Sequence, residues 1–283
     1  MESRIEEHQL SDREFKCICD LVYNDAGIVL TESKREMVYR RLMRRTRELK
    51  ISSFSEYCGL INTPDSEELP HFINAITTNL TSFFREPHHF DYLRDQFIPQ
   101  HLKAFRSDSK LRIWSSACST GEEPYTLAIT VKQAMASYLR KWDVRILATD
   151  LDTNVLKTAA QGIYEYDGIK DLSDEVKRDG FNKGIGNCEG LVKVKTSLAD
   201  LISFKQLNLL RAWPMKGPFD AILCRNVLIY FDKDTQLGLL KRFVEILRPG
   251  GVIILGHSES VAKSFPGLNS IGRTIYQKVC TYH

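Results

Sequence analysis

Two acidic positions stand where this chain could meet a nucleoside. In "WSSACSTGEEPY" (114–125) an apolar run ends in small residues, and Glu122 and Glu123 open the next helical stretch. Ala117, Ser119 and Gly121 allow a ligand to approach the backbone, and the first N–H groups of a helix favour an anion. Two carboxylates in that turn would repel a diphosphate and favour a ligand carrying positive charge. Further on, "VRILATD" ends at Asp150, and an acid at the end of a second strand commonly accepts bonds from a ribose diol. Together these acids suit a nucleoside with a cationic, amino-acid-like tail. S-adenosylmethionine, with its adenosine, sulfonium and ammonium, has that form. A plainer account also holds for each residue alone. Glu122 and Glu123 can simply favour the helix dipole, by ~0.3–1 kcal/mol, and Asp150 can cap the helix that follows.

The elements that would hold these residues can be read from pattern. From residue 110 onward short apolar runs, "LRIWSSA", "VRILATD", "FDAILCRNV" and "VIILGHS", alternate with helical stretches. Strands that are apolar throughout predict a parallel sheet covered on both faces, which binds ligands at its carboxyl ends. Gly162 is placed to end the helix "TNVLKTAAQG", and Pro249-Gly250-Gly251 to close "DTQLGLLKRFVEIL". Residues 163–203 break the alternation. There Gly184, Gly186 and Gly190 precede "LVKVK", which predicts a small antiparallel hairpin insert whose "LVKVK" edge another strand could extend.

Residues 1–100 read as helices over 11–25, 32–49, 53–62, 67–80 and 87–105. Ser11 and Glu14 form a capping box, and Thr31 or Ser33 can cap the second helix. The fold class expected is therefore α/β: a small all-helical N-terminal domain (1–90), a linker helix (91–109), and a Rossmann-like domain (110–283) with an antiparallel β-insert.

Composition bounds the alternatives. The 283 residues are 43% hydrophobic and 27% charged with net charge +3, as in a soluble globular protein. No run reaches the ~18–20 apolar residues of a membrane span, and the acidic start "MESRIEEHQLSDREF" is not a secretory leader. Seven cysteines without knuckle spacing predict reduced, mostly buried thiols in a cytoplasmic protein and no metal site. Charge is uneven: residues 34–50 hold eight basic and two acidic side chains. On a helical wheel Val38, Leu42 and Leu49 share one face, Arg40, Arg44 and Arg47 the opposite one, and Arg41 and Arg45 flank the apolar side. Such a face is either a docking surface or merely solvated. With modest net charge and few interleaved aromatics it does not read as a nucleic-acid site.

Several stretches, taken together, are specific. "NLTSFFREPHHF" (79–90), "WSSACSTGEEPY", "ATDLD" (148–152), "CRNVLIYFD" (224–232) and "RPGGVIILGHSES" (248–260) resemble the chemotaxis receptor methyltransferases, the CheR family, in order and spacing over roughly residues 10–280. The resemblance implies an enzyme that takes S-adenosylmethionine to S-adenosylhomocysteine while esterifying glutamates on the cytoplasmic helical bundle of chemoreceptors. It implies cofactor contacts at Asn79, Thr81, Arg85, Glu123 or Glu122, Asp150, Asn208, Leu209, Arg225 and Asn226. Arg85, Arg225 and Tyr230 would stand at the reacting groups. It also implies that Arg40, Arg41, Arg44, Arg45 and Arg47 meet receptor, and that Gly184, Gly186 and Gly190 mark a site for a receptor's C-terminal tail peptide. A cytoplasmic monomer without membrane insertion or nucleic-acid partner is expected.

Each residue also has a plain structural reading: a strand-end ion pair for Arg225, a core aromatic for Tyr230, a helix cap for Asn79. His88 and His89, adjacent on a helix, should point to different sides and are read as structural. Ser258 lacks a G-x-S-x-G elbow, so no hydrolase triad is expected. A glutamate with pKa near ~4.3 is already ionised, so its methylation needs orientation and desolvation rather than a general base. The rival from another class is a non-catalytic adaptor that docks on receptor.

Overall fold

The structure, a computed structural model, describes residues 10–261 and 265–279. By its contacts the chain divides into two compact units. One runs to Thr78 and takes in Tyr230–Thr235; the other comprises Asn79–Ile229 and the chain from Gln236 on.

The first unit holds α1 (Asp12–Ala26), α2 (Arg35–Leu49), α3 (Phe54–Ile61) and α4 (Leu69–Ile76). The Ser11–Glu14 capping box is present, and Gly27 closes α1 in the left-handed conformation. Thr31 and Ser33 do not cap α2. Their hydroxyls bond each other at 2.8 Å, and a 3-10 turn, Glu32–Lys34, leads into the helix. α2 buries Val38, Leu42, Met43 and Thr46. Leu49, expected on that stripe, is exposed; it is the last residue of the helix, followed by a left-handed cap at Lys50. The segment Tyr230–Thr235 is tied in by Val29 N donating to Tyr230 O at 2.8 Å and Tyr23 Oη to Asp232 at 2.9 Å.

The second unit begins with α5 (His88–Tyr92), a π turn (Leu93–Phe97) and α6 (Ile98–Ala104). One continuous helix over 87–105 was the expectation. The widened turn coincides with Pro99, which cannot donate to a preceding carbonyl, and Ile98 N donates to Leu93 O instead. Phe90, Leu93, Phe97 and Ile98 lie in this unit's core, so residues 91–104 pack within it. Then follow β1 (Lys110–Ser115), α7 (Glu122–Met135), β2 (Asp143–Asp150), α8 (Thr153–Gln161), β3 (Ile163–Glu165), α9 (Asp174–Gly180), β4 (Phe181–Lys183), β5 (Leu191–Val194), α10 (Thr196–Ala199) and β6 (Ile202–Gln206). β7 (Phe219–Cys224), α11 (Lys233–Ile246), β8 (Leu247–Leu255), β9 (Leu268–Gly272) and β10 (Ile275–Lys278) complete it.

Among the described residues, seven strands form one sheet, ordered β6-β2-β1-β7-β8-β10-β9. The first five are parallel and β10 runs antiparallel to β8. Every residue of β7 is buried, as a sheet covered on both faces requires. Register aligns the carboxyl ends: Ser115 pairs with Ala148 and Leu223, Asp150 with Gln206, Cys224 with Leu255. The order reverses between β1 and β7, the switch point where such sheets open a ligand crevice. Pro249-Gly250-Gly251 lies inside β8 rather than closing α11. A Cβ on Gly251 would meet Asp220 O at 2.8 Å, so glycine there lets β7 and β8 approach.

The insert is a three-stranded antiparallel sheet ordered β3-β5-β4. "LVKV" is its central strand, paired on both sides. The expectation that it offers a free edge is therefore corrected. Its alternation reflects one buried face, Val192 and Val194, and the outer strands are β3 and β4.

Candidate active site

Asp150 ends β2 and is 9% exposed. Its Oδ2 accepts from Ser119 N at 2.8 Å and its Oδ1 from Asp152 N at 3.0 Å, and Leu151 adds a further backbone bond, so the carboxylate keeps acceptor capacity for a further donor. Burial pushes its carboxyl up to about 6, against those backbone bonds. The turn before α7 is held tightly. Gly121 has φ +100°, and a Cβ there would lie 2.7 Å from Tyr164 Oη and 2.8 Å from Ala159. Asn79 is not a helix cap. Its Nδ2 donates to Asp152 at 2.8 Å, and its carbonyl accepts from Ser119 Oγ at 2.8 Å. Leu207 N donates to Asp150 O at 2.9 Å, which brings Asn208 and Leu209 to the same strand end. Asn208 Oδ1 accepts from Leu210 N. Leu209 O accepts from Trp213 Nε1 at 3.0 Å and Arg242 Nη1 at 2.7 Å. Thr81 is half-buried.

The two first-turn acids differ. Glu122 bonds Thr120 Oγ1 at 2.7 Å, and burial raises its pKa. Glu123 points into the sheet's end, accepting from Ser115 Oγ at 2.7 Å and pairing with Arg225 Nη1 at 2.9 Å. Arg225, buried after β7, also lies 3.3 Å from Glu86 through Nη2 and 5.3 Å over the Phe90 ring. Its Nη2 donates to Arg85 O. Arg85 itself is half-buried, with Nη1 on Leu80 O at 2.8 Å.

Glu86 is a site residue the sequence reading missed. It accepts from Asn226 Nδ2 at 3.3 Å, His257 N at 3.1 Å and His257 Nδ1 at 3.1 Å. Burial alone would raise its pKa, but Arg225 and those donors bring it down to about 2. Glu259, 4% exposed, is a second omission. It accepts from Asn226 N at 2.8 Å and Gly256 N at 2.7 Å, fixing Asn226 at φ +58°. Both acids lie inside the quoted motifs; Glu259 follows the apolar run of β8, whereas no strand neighbours Glu86 in sequence.

His88 and His89 do not point apart: their ring centroids are 4.1 Å apart. His89 is fully buried, with Nε2 2.9 Å from Arg273 O, and burial, with Arg225 nearby, lowers its pKa to about 4. Glu86, His88 and His89 bring ligand atoms within 4.8 Å of one another, but Arg225 already supplies the cation beside Glu86. Ser258, His257 and Glu86 are joined by contacts of 3.1 Å each. Glu86 is shared among Arg225, Asn226 and a backbone N–H, so this string is part of the scaffold for Arg225.

Arg41 and Arg45 are engaged inside the first unit. Arg41 Nη1 donates to Ile76 O and Thr77 O at 2.7 Å each, at the end of α4. Arg45 grips buried Glu68 with two bonds of 2.6 and 2.7 Å. Arg40, Arg44 and Arg47 are exposed. Tyr230 belongs by its contacts to the first unit. Of the six described cysteines, all free, Cys58, Cys118 and Cys224 are buried, and Cys188 is exposed. Cys280 lies outside the described residues.

A parallel sheet reversing at β1/β7, with a donor-seeking acid after β2 and a buried carboxylate–guanidinium group at the switch point, defines an α/β protein built for a nucleoside cofactor. Residues 79–276 match the family described as CheR methyltransferase, SAM binding domain, and residues 13–77 match CheR methyltransferase, all-alpha domain. The chain is similar to the chemotaxis protein methyltransferase of Salmonella typhimurium, at 45% identity over 94% of this chain and 90% of the relative. It is likewise 46% identical to that of Klebsiella aerogenes (94% and 90%) and 44% identical to chemotaxis protein methyltransferase 2 of Pseudomonas aeruginosa (96% and 95%). The chain belongs to the CheR methyltransferase family, and its cofactor is S-adenosylmethionine. The residues fit that group: at the carboxyl end of β2, Asp150 retains acceptor capacity for a diol.

Proposed function

We propose that this protein forms γ-carboxyl methyl esters on glutamates of the cytoplasmic helical bundle of chemoreceptors, acting in the cytoplasm as a monomer. The observation that carries the reading is the placement of Arg225 between Glu123 and Glu86. A guanidinium held by two carboxylates is fixed in place and largely neutralised, so it shapes the strand ends around the reacting groups instead of pairing tightly with the nucleophile. The names of the relatives support a role in chemotaxis.

When bound, S-adenosylmethionine supplies a methyl group activated by its sulfonium, which the glutamate oxygen accepts as S-adenosylhomocysteine departs. Asp150 would take the ribose hydroxyls, Asn208 and Leu209 the adenine side, and Glu123 (in preference to Glu122) the cationic tail. Asn79 and Thr81 would line the same crevice. Arg85, with donors beyond its Leu80 bond, would meet a carboxylate. Arg225 and Asn226 would orient the acceptor. No proton has to be removed, so these residues exclude water and fix geometry. Arg40, Arg44 and Arg47 would land on acidic receptor helices.

A tail-peptide site is a second proposal. β4 is a three-residue outer strand, followed by Gly184, Gly186 and Gly190 and by Ile185 at 86% exposure. A peptide strand adding there gains backbone bonds and an apolar contact.

Labelled methyl transfer to purified receptor cytoplasmic fragments tests the main reading. Base-labile label on the fragment is expected. Cofactor binding without transfer would make the chain an adaptor.

A further inference from the structure

We propose that a pocket at the end of β8 holds a second carboxylate of the protein substrate, beside the one that is methylated; this rests on the carboxylate-methylating reading above. The pocket encloses about 330 Å³ and is lined by His88, His257, Arg273 and Thr274. It is continuous with the strand ends. Leu255 N donates to Thr274 O at 3.0 Å, and Thr274 Oγ1 to Leu255 O at 2.8 Å, which pins the β9–β10 turn to the carboxyl end of β8. His257 shares Glu86 with Arg225 and Asn226.

Charge gives the class of ligand. Arg225 is shared between Glu123 at 2.9 Å and Glu86 at 3.3 Å, and Glu86 is further satisfied by His257 N and Nδ1 at 3.1 Å each. The Arg273 guanidinium makes no ion pair or hydrogen bond among the described residues. With two imidazoles beside it, the lining offers donors and cationic charge and seeks an anion, and a guanidinium takes a carboxylate by two parallel bonds. The wall is also held in place. Arg273 and Thr274 are consecutive non-glycine residues in the left-handed region, at φ +51° and +60°, and His89 Nε2 lies 2.9 Å from Arg273 O. Both residues form the two-residue loop of the β9–β10 hairpin, in which Gly272 pairs with Ile275, and a tight turn of this kind sets positive φ at both central positions. The acids suited to the cofactor stand at β1 and β2, while this pocket stands at β8 and β10, on the side left for the acceptor.

The test is steady-state methylation of a receptor cytoplasmic fragment by wild type, Arg273→Glu and Arg273→Gly, with calorimetric titration of S-adenosylhomocysteine. Glycine suits φ +51°, so Arg273→Gly removes the guanidinium while keeping the turn. Expected are a rise in KM of roughly tenfold for Arg273→Glu and roughly threefold for Arg273→Gly, with cofactor-product affinity within about twofold of wild type. A fragment whose acids flanking the methylated glutamate are changed to glutamine should raise KM for wild type and not for Arg273→Gly. Wild-type KM in both variants, or an equal penalty for the neutralised fragment on both enzymes, overturns the pocket's role. A wild-type enzyme that esterifies no carboxylate would instead overturn the function proposed above.

Discussion

At the residue scale Asp150 is the simplest group to interrogate. It is a buried carboxylate in no ion pair among the described residues, with its pKa pushed up to about 6. Ribose hydroxyls donate to the ionised form, so ligand binding should lower that pKa. Affinity for S-adenosylhomocysteine should therefore be full above about pH 7 and weaken by roughly tenfold toward pH 5. Asp150→Asn should bind more weakly and flatten the profile; a wild-type profile equally flat would remove Asp150 from the site. Glu86 makes a different prediction. It holds Arg225, Asn226 and His257 at once, so Glu86→Gln should lower kcat by on the order of 10–100-fold through misplacement. Product affinity should change less than about threefold, since Glu86 is argued to act on acceptor-side groups. A loss confined to product affinity would place Glu86 on the cofactor side instead.

At the scale of elements the basic helix α2 separates into two sets of arginines. Arg45 neutralises Glu68, which is 6% exposed and also bonded by the buried Tyr57 hydroxyl at 2.9 Å. Arg45→Ala should cost the fold about 3 kcal/mol by stranding that charge. Arg40 and Arg44, mostly exposed and paired among the described residues to neighbours four residues away, should each cost less than about 0.5 kcal/mol. Denaturant unfolding distinguishes them. Reversal of Arg40 and Arg44 to Glu should slow receptor methylation, less so as salt rises, and spare cofactor binding; wild-type rates at low salt would end their docking role. In the insert, a Cβ on Gly184 would lie 1.9 Å from Cys188 O. Gly184→Val should distort the loop after β4, abolishing binding of receptor tail peptides while methylation of a tail-less fragment continues. Retained peptide binding would remove the loop from that site.

At the scale of the molecule, legibility in sequence followed the range of the interaction. The Ser11–Glu14 cap, the Gly162 stop and the apolar parallel strands are local signals; the strand pattern put Asp150 at the end of β2 and the two first-turn acids at the start of α7, while the family's motifs pointed to Arg225. Contacts far apart in sequence were not legible. Nothing local says that Glu86 reaches His257, that Arg45 turns inward to Glu68, or that "LVKV" is covered on both sides by β3 and β4. The wheel of α2 likewise put Leu49 on the apolar docking face, although it is the helix's last residue and exposed. The central claim concerns the atom that receives the methyl group. Tandem mass spectrometry of a receptor cytoplasmic fragment, after incubation with enzyme and S-adenosylmethionine, should find the methyl on glutamate side chains and lose it on mild base treatment. Methyl on lysine or arginine, stable to base, would contradict the account.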